Sequence, residues 1–70
     1  MAKWPSCKAR QVLRALRRIG WEVKRQVGSH RTLARPGWPD VTFAFHDNDE
    51  IGPTAMKWIA QDTGLTPDDL

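Results

Sequence analysis

The sequence predicts an α+β domain in which a helix, three antiparallel strands and a second helix follow one another along 70 residues. Three observations predict this order. Apolar residues near the start recur every three or four positions, alternating apolar and polar residues follow, and glycine or proline pairs separate the later segments. A chain of this length forms one small core. We therefore expect a single domain over residues 1–70.

The first helix is predicted from Cys7 to Ile19, with Ser6 as its N-cap and Gly20 as the residue that ends it. The apolar positions of this segment are spaced as on one face of a helix. They are Ala9, Val12, Leu13, Leu16 and Ile19. The other face carries five cations, namely Lys8, Arg10, Arg14, Arg17 and Arg18.

The period then changes to two, which indicates strands. Trp21, Val23 and Val27 alternate with polar residues, and Gly28-Ser29 has the composition of a two-residue hairpin turn with glycine first. A second strand is expected over about 31–35, followed by a turn at 36–39. A third strand, rich in β-branched and aromatic residues, is expected over 41–45.

A second helix is predicted to begin at Gly52-Pro53, with Pro53 in its first turn, and to end at Gly64. By their spacing, Trp21 and Trp58 are expected in the core. Both helices are expected to pack on one face of the three-stranded antiparallel sheet. Double-stranded-RNA-binding domains share this α-β-β-β-α layout, although a shared layout does not by itself assign a function.

The net charge of +3 conceals a strong asymmetry. Residues 1–35 contain ten lysines and arginines against one acidic residue, whereas residues 36–70 contain one lysine against seven acidic residues. This polarity predicts a basic face for a polyanion such as nucleic acid. No apolar run approaches the length of a membrane span, and the lone Cys7 cannot form an internal disulfide, so we expect a cytoplasmic protein.

The two histidines, His30 and His46, are expected at the same end of the sheet. A turn at Gly37-Trp38 would place His30 opposite Phe45, and a loop one residue longer would place it opposite His46. Whether the two imidazoles share a face depends on this one-residue difference in register.

The chain resembles the HicA toxins of HicA–HicB toxin–antitoxin systems over roughly residues 6–70. The resemblance depends on Leu16-x-x-x-Gly20-Trp21, Gly28-Ser29-His30, His46-Asp47 and Ile59-x-x-x-x-Gly64-Leu65. It implies a fold like that of double-stranded-RNA-binding domains, ribosome-independent cleavage of mRNA, His30 as the catalytic histidine and a HicB-like antitoxin as partner. Many relatives have a second histidine where Arg31 stands and a proline where Ala44 stands.

The residues around His30 suit cleavage of RNA. The 2′-OH of RNA is an internal nucleophile, so one imidazole that moves its proton can suffice, and no metal or other cofactor is required. Arg31, Lys24 and Arg25 are candidates for binding phosphate and stabilising the charge that develops on it. Together with Arg10, Arg14, Arg17 and Arg18 on the first helix, they form the predicted RNA-binding set.

Other polar residues have simpler interpretations beside their functional ones. His46 is either an accessory catalytic group or a cap of the acidic loop, and Ser29 is more simply a turn residue than a nucleophile. Asp47 and Asp49 are explained by the dipole of the helix that follows better than by Mg²⁺. One cysteine and two histidines do not make a zinc site.

Two rival functions remain open. The first is a non-catalytic RNA-binding module that keeps the fold and the basic face but does no chemistry, with Arg31 as the sign of drift from an active ancestor. The second, a small DNA-binding protein, is less favoured because the sequence shows no helix-turn-helix pattern.

Overall fold

The computed structural model describes residues 4–70. It confirms the α+β class and the order of helix, three strands and helix, and it adds two short strands. The elements are β1 (Cys7–Lys8), α1 (Ala9–Arg18), β2 (Glu22–Val27), β3 (His30–Ala34), β4 (Val41–Ala44), β5 (Glu50–Ile51), α2 (Pro53–Thr63) and a 3-10 turn (Pro67–Asp69). Strands β2, β3 and β4 form an antiparallel sheet in that order, and β1 pairs with β5.

The start of α1 differs from the prediction. Ser6 is not its cap, because Cys7 and Lys8 form β1 and the helix begins at Ala9. The backbone N–H of Lys8 donates to Oε1 of Gln11 over 3.1 Å, which binds the helix entrance to its first turn. A two-residue strand is too short to produce a period in the sequence, so neither β1 nor its partner β5 could be predicted from alternation.

The core lies between the helices and one face of the sheet. Its largest fully buried side chains are Trp21, Phe43, Leu16, Leu33, Ile51, Met56 and Val12. The prediction that Trp21 belongs to the core is confirmed, and its indole N–H donates to the carbonyl oxygen of Thr63 over 3.1 Å. The same prediction for Trp58 is wrong, because this side chain is 65% exposed. Helix α2 buries Met56, and Trp58 lies about 200° further around the helix.

A β-bulge interrupts the alternation of β2. Val23 pairs with Leu33, but the next pair is Arg25 with Thr32, so Lys24 is the extra residue. Val23 therefore lies on the core side with Leu33, while Val27 lies on the other side and is 70% exposed. The expected strict alternation, which would have placed both valines on one face, is wrong beyond Val23.

The turn between β3 and β4 is centred one residue earlier than predicted. The carbonyl of Arg35 accepts a hydrogen bond from the N–H of Trp38 over 3.1 Å, and Gly37 has a φ of +83°. Pro36 and Gly37 thus occupy the two central positions at which a type II turn favours proline and glycine. One extra residue lies between this turn and β4, so His30 pairs with Ala44, and both predicted registers, with Phe45 or His46 as partner, are wrong.

Within residues 4–70, neither helix combines the length and the apolar character that crossing a bilayer requires.

Candidate functional site

His30 lies at the tip of the β2–β3 hairpin. Val27 pairs with His30 around the predicted two-residue turn Gly28-Ser29. Gly28 has a φ of +59°, whereas Ser29 has a negative φ, which is the pattern that favours glycine first in a type II′ turn. The tight turn fixes His30 as the first residue of β3, where its side chain is exposed.

The face of the sheet that carries His30 is not covered by the helices. Its neighbours in the same row are Val27 on β2 and Ala44 on β4, because paired residues of antiparallel strands share a face. Arg25 shares this face through its pair Thr32 and is a diagonal neighbour of His30, about 7–8 Å away between Cα atoms. The bulge at Lys24 puts Arg25 on this side of the sheet.

Arg31 lies on the opposite face, with its pair Phe43. Its guanidinium donates to Oδ1 of Asp47 over 2.8 Å and to the carbonyl of Phe45 over 3.4 Å. The Arg31 side chain is only 13% exposed. From the sequence, Arg31 is expected to bind phosphate beside His30. In the structure Arg31 joins the hairpin to the loop after β4, and Arg25 is the arginine that shares a face with His30.

The loop 46–49 holds the second histidine and is closely tied to the rest of the protein. The backbone N–H of His46 donates to Oδ2 of Asp49, and the N–H of Asp49 donates to the carbonyl of His46, both over 2.9 Å. The N–H groups of Ala9 and Arg10, at the start of α1, donate to the carbonyls of Asp49 and Asp47 over 2.8 and 3.1 Å. The loop is thus fixed by the amino end of α1.

The side chains of Asp47 and Asp49 are engaged within this part of the molecule. Asp47 pairs with Arg31, and Asp49 accepts the N–H of His46. The predicted explanation, stabilisation of the dipole of the following helix, does not describe these contacts, and the first turn of α2 contains no acidic residue. Over residues 4–70 no group of three or more histidine, cysteine, aspartate or glutamate side chains is arranged to hold a metal ion.

A groove runs along the helix side of the hairpin. One part, about 330 Å³, lies at the hairpin tip and is lined by Ser29, His46, Asn48 and others. A second part, about 300 Å³, lies against α1, where Arg10, Arg14 and Arg17 line it. Both parts are also lined by Gln26, Arg31 and Asp47, so they form one continuous surface, which we call the arginine groove.

The cations of the predicted RNA-binding set differ in how far they are engaged. Arg18 donates to the carbonyl of Asp69 over 2.7 Å, and Lys24 forms an ion pair with Asp40 at 3.0 Å. Arg10 donates to Oδ1 of Asn48 over 3.3 Å. Within the described part of the chain, the guanidinium groups of Arg14 and Arg17 form no hydrogen bond or ion pair, so both are available to a ligand.

The structure brings part of the predicted site together at the hairpin end of the sheet, on two different surfaces. His30 and Arg25 lie on the uncovered face, while Ser29, His46 and Arg31 line the groove with Arg10, Arg14 and Arg17 of α1. The other two predicted RNA-binding residues, Arg18 and Lys24, lie elsewhere, in contact with Asp69 and Asp40. The groove residues Gln26 and Asp47 were not predicted as part of a site. The position of Arg25 depends on the bulge at Lys24, which the alternating pattern of the sequence did not indicate.

Comparison with known proteins assigns the family. None of the curated proteins matches the chain. The family model of the HicA toxins of bacterial toxin–antitoxin systems matches residues 9–65, from the first residue of α1 to the residue after the glycine that ends α2. This match covers most of the chain and includes the hairpin, both histidines and the arginine groove. The chain therefore belongs to the HicA toxin family, the toxins of bacterial toxin–antitoxin systems.

Proposed function

We propose that this toxin is a metal-independent endoribonuclease that cleaves mRNA with His30 as its general acid–base. The observation that carries the proposal is the position of His30. It is exposed at a rigid two-residue turn, on the uncovered face of the sheet, with Arg25 as a diagonal neighbour on that face. A polyanion bound there meets an imidazole that can move a proton and a guanidinium that can stabilise the charge developing on phosphate.

The proposed reaction uses the nucleophile that RNA itself contains. The neutral His30 imidazole removes the proton of a ribose 2′-OH, and the 2′-oxygen forms a bond to the adjacent phosphorus. The bond from phosphorus to the 5′-oxygen breaks, and that oxygen takes a proton from solvent or from the imidazolium. The products are a 2′,3′-cyclic phosphate and a 5′-hydroxyl. Arg25 stabilises the negative charge that develops on the phosphoryl oxygens.

The arginine groove supplies affinity rather than chemistry in this proposal. Arg14 and Arg17 are the arginines of α1 whose side chains form no hydrogen bond or ion pair within residues 4–70, and both line the groove that leads to the hairpin tip. Phosphate contacts of this kind position a nucleic acid without selecting its sequence. His46 lines the same groove near Ser29 and is the accessory candidate, able to contact RNA from the helix side of the tip.

The proposed partner is a HicB-like antitoxin that covers His30 and the basic surface in the cytoplasm, where the mRNA is. Ten of the eleven lysines and arginines lie in residues 1–35, so an acidic antitoxin segment is favoured by charge. Such a partner would compete with RNA directly.

The test is cleavage of a labelled single-stranded RNA by purified protein in the presence of EDTA. We expect the unaltered protein to produce fragments ending in a cyclic phosphate, and we expect His30→Ala to lower the rate about a hundredfold or more. The variant should keep its fold, because the His30 side chain is exposed. Circular dichroism and the thermal midpoint supply that control. Undiminished cleavage by His30→Ala would remove His30 from the mechanism.

One observation favours the second candidate function, a non-catalytic RNA-binding module. Among residues 4–70 no side chain forms a hydrogen bond to the His30 imidazole, so nothing in the free protein orients the ring as triad-like sites do. Retention of RNA by the unaltered protein, with neither cleavage nor growth arrest on expression, would establish this second function.

A further inference from the structure

Strand β4 has a free edge. The sheet order is β2-β3-β4, and on the side of β4 away from β3 no strand pairs with it within residues 4–70. Backbone N–H and C=O groups at such an edge are a template for another strand. Proteins that avoid this pairing place lysine, proline or a bulge in the edge strand. The sequence of β4, Val-Thr-Phe-Ala, contains none of these devices.

An apolar groove lies directly beside this free edge. It encloses about 300 Å³ between β4 and α2, with Leu16 at its base. Its walls are mostly apolar side chains, Val41, Phe43 and Phe45 from the sheet side and Ala55, Trp58 and Ile59 from α2. Trp58 is 65% exposed and continues the apolar lining of the groove onto the surface. Indole rings exposed in this way are typical of the centres of protein interfaces.

Among the described residues, the one charged side chain that lines the groove is acidic, in contrast to the arginine groove. It is Asp62, and no cation within residues 4–70 pairs with it. An RNA strand would be repelled by this carboxylate. A polypeptide strand with an apolar side chain for the groove and a cation at its end would complement it.

We propose that the cognate antitoxin adds an extended strand to the free edge of β4 and inserts an apolar side chain against Trp58. In this mode of recognition the main-chain hydrogen bonds supply affinity, and pockets for alternate side chains supply specificity. The inference depends on the proposed antitoxin partner, but it does not depend on the ribonuclease chemistry.

The register connects this surface with His30. Ala44 pairs directly with His30, so a strand added beside β4 would have a residue in the same row. This residue would lie two strand spacings from His30, one from the added strand to β4 and one from β4 to β3. At about 4.8 Å for each spacing, the distance is about 10 Å. An antitoxin anchored on β4 therefore extends the same uncovered face and needs only a short further segment to reach His30.

A second copy of this chain fits the groove less well. A symmetric pairing through the groove would bring the Asp62 of each copy, unpaired within residues 4–70, to the same interface, and like charges at an interface oppose association. For this reason the proposal commits to the antitoxin as the occupant.

The test uses a short synthetic peptide of alternating valine and threonine with a lysine at each end, titrated into the isotope-labelled full chain. We expect the amide resonances of residues 41–44 and the Trp58 indole resonance to shift. We expect Trp58→Ser to weaken binding at least fivefold. Gln61→Ser is the matched control, because Gln61 is an exposed residue of α2 that does not line the groove. A control peptide with two central prolines lacks the backbone N–H donors at these two positions and should not bind.

Each other outcome is decisive. Absence of shifts at β4, equal shifts with the proline peptide, or shifts confined to α1 would overturn the proposal. Sedimentation of the free protein that shows a dimer, lost in Trp58→Ser, would assign the groove to a second copy instead. Cleavage of RNA by Trp58→Ser should equal that of the unaltered protein. A lack of ribonuclease activity in both proteins would therefore remove the proposed reaction and leave this docking surface to be judged on the titration.

Discussion

The two sides of the β2–β3 hairpin tip differ in how their polar side chains are used. On the helix side Arg31 is fixed by Asp47 and by the carbonyl of Phe45, and the neighbouring loop is fixed by amides of α1. On the uncovered side, His30 and Arg25 are exposed. The comparison teaches that internal contacts on one side hold the hairpin in place, which leaves the side chains on the other side available to a ligand.

The same distinction separates the arginines of α1 from one another. Arg10 has a hydrogen-bond partner in the loop 46–49, and Arg18 has one in the carboxyl-terminal turn. Arg14 and Arg17 have none within residues 4–70. A cation that already has an acceptor must exchange it for phosphate, so it gains less on binding RNA. The engaged arginines stabilise the fold, and the other two are the better candidates for RNA contacts.

The largest effect is expected from removing both unengaged arginines. In a His30→Ala background, which prevents cleavage, Arg14→Gln with Arg17→Gln should raise the dissociation constant for a single-stranded oligoribonucleotide at least tenfold. Each lost phosphate contact should also reduce the steepness with which the logarithm of the binding constant falls with the logarithm of the salt concentration. The expected reduction of this slope is about 0.7 per contact, or about 1.4 in total. Fluorescence anisotropy at several salt concentrations measures both quantities. Lys57→Gln, on the acidic half of the chain, is the control, and an unchanged slope would contradict the groove as the RNA path.

The next comparison sets Arg25 against Arg31. We expect Arg25→Gln to lower kcat about tenfold with an unchanged thermal midpoint, because Arg25 is exposed and shares the face of His30, where the proposed reaction places the phosphate. Arg31→Gln should show the reverse pattern, a lower thermal midpoint with kcat nearly unchanged, because Asp47 loses its partner. Single-turnover cleavage and thermal unfolding separate these outcomes. A well-folded Arg31 variant with the larger loss of kcat would show that catalysis takes place on the helix side.

The smallest effect is expected at the exposed ion pair between Lys24 and Asp40. Lys24 and Asp40 are 62% and 45% exposed, so solvent screens their attraction. We expect Lys24→Gln to change the free energy of unfolding by no more than about 0.5 kcal/mol in urea titrations. A larger loss would mean that the bulged residue is important for the register of β2.

The sequence was sufficient for the elements that have a clear period or a strong end signal. The helix α2 was predicted from Pro53 to Gly64, and it ends where expected, with Gly64 in the left-handed conformation. The hairpin turn at Gly28-Ser29 was also predicted and confirmed. In each case the signal is local, since proline and glycine restrict or extend the backbone at their own position.

The parts that could not be predicted depend on contacts between distant segments. Whether Arg31 would face His30 or Asp47 depends on strand alternation and on a loop sixteen residues away. The position of Arg25 depends on a single bulged residue, and the exposure of Trp58 depends on which face of α2 the sheet covers. A pattern of apolar residues identifies a helix, but it does not decide how a small core is filled.

The attachment of the loop 46–49 to the first amides of α1 links the site to the amino end of the protein. The carbonyls of Asp47 and Asp49 cap this helix, so the helix cannot fray at its first turn without releasing them. Release of Asp47 would in turn free Arg31, the residue that fixes the hairpin below His30. A ligand or partner that unwinds the amino end of α1 could therefore disarm the toxin without touching its histidine.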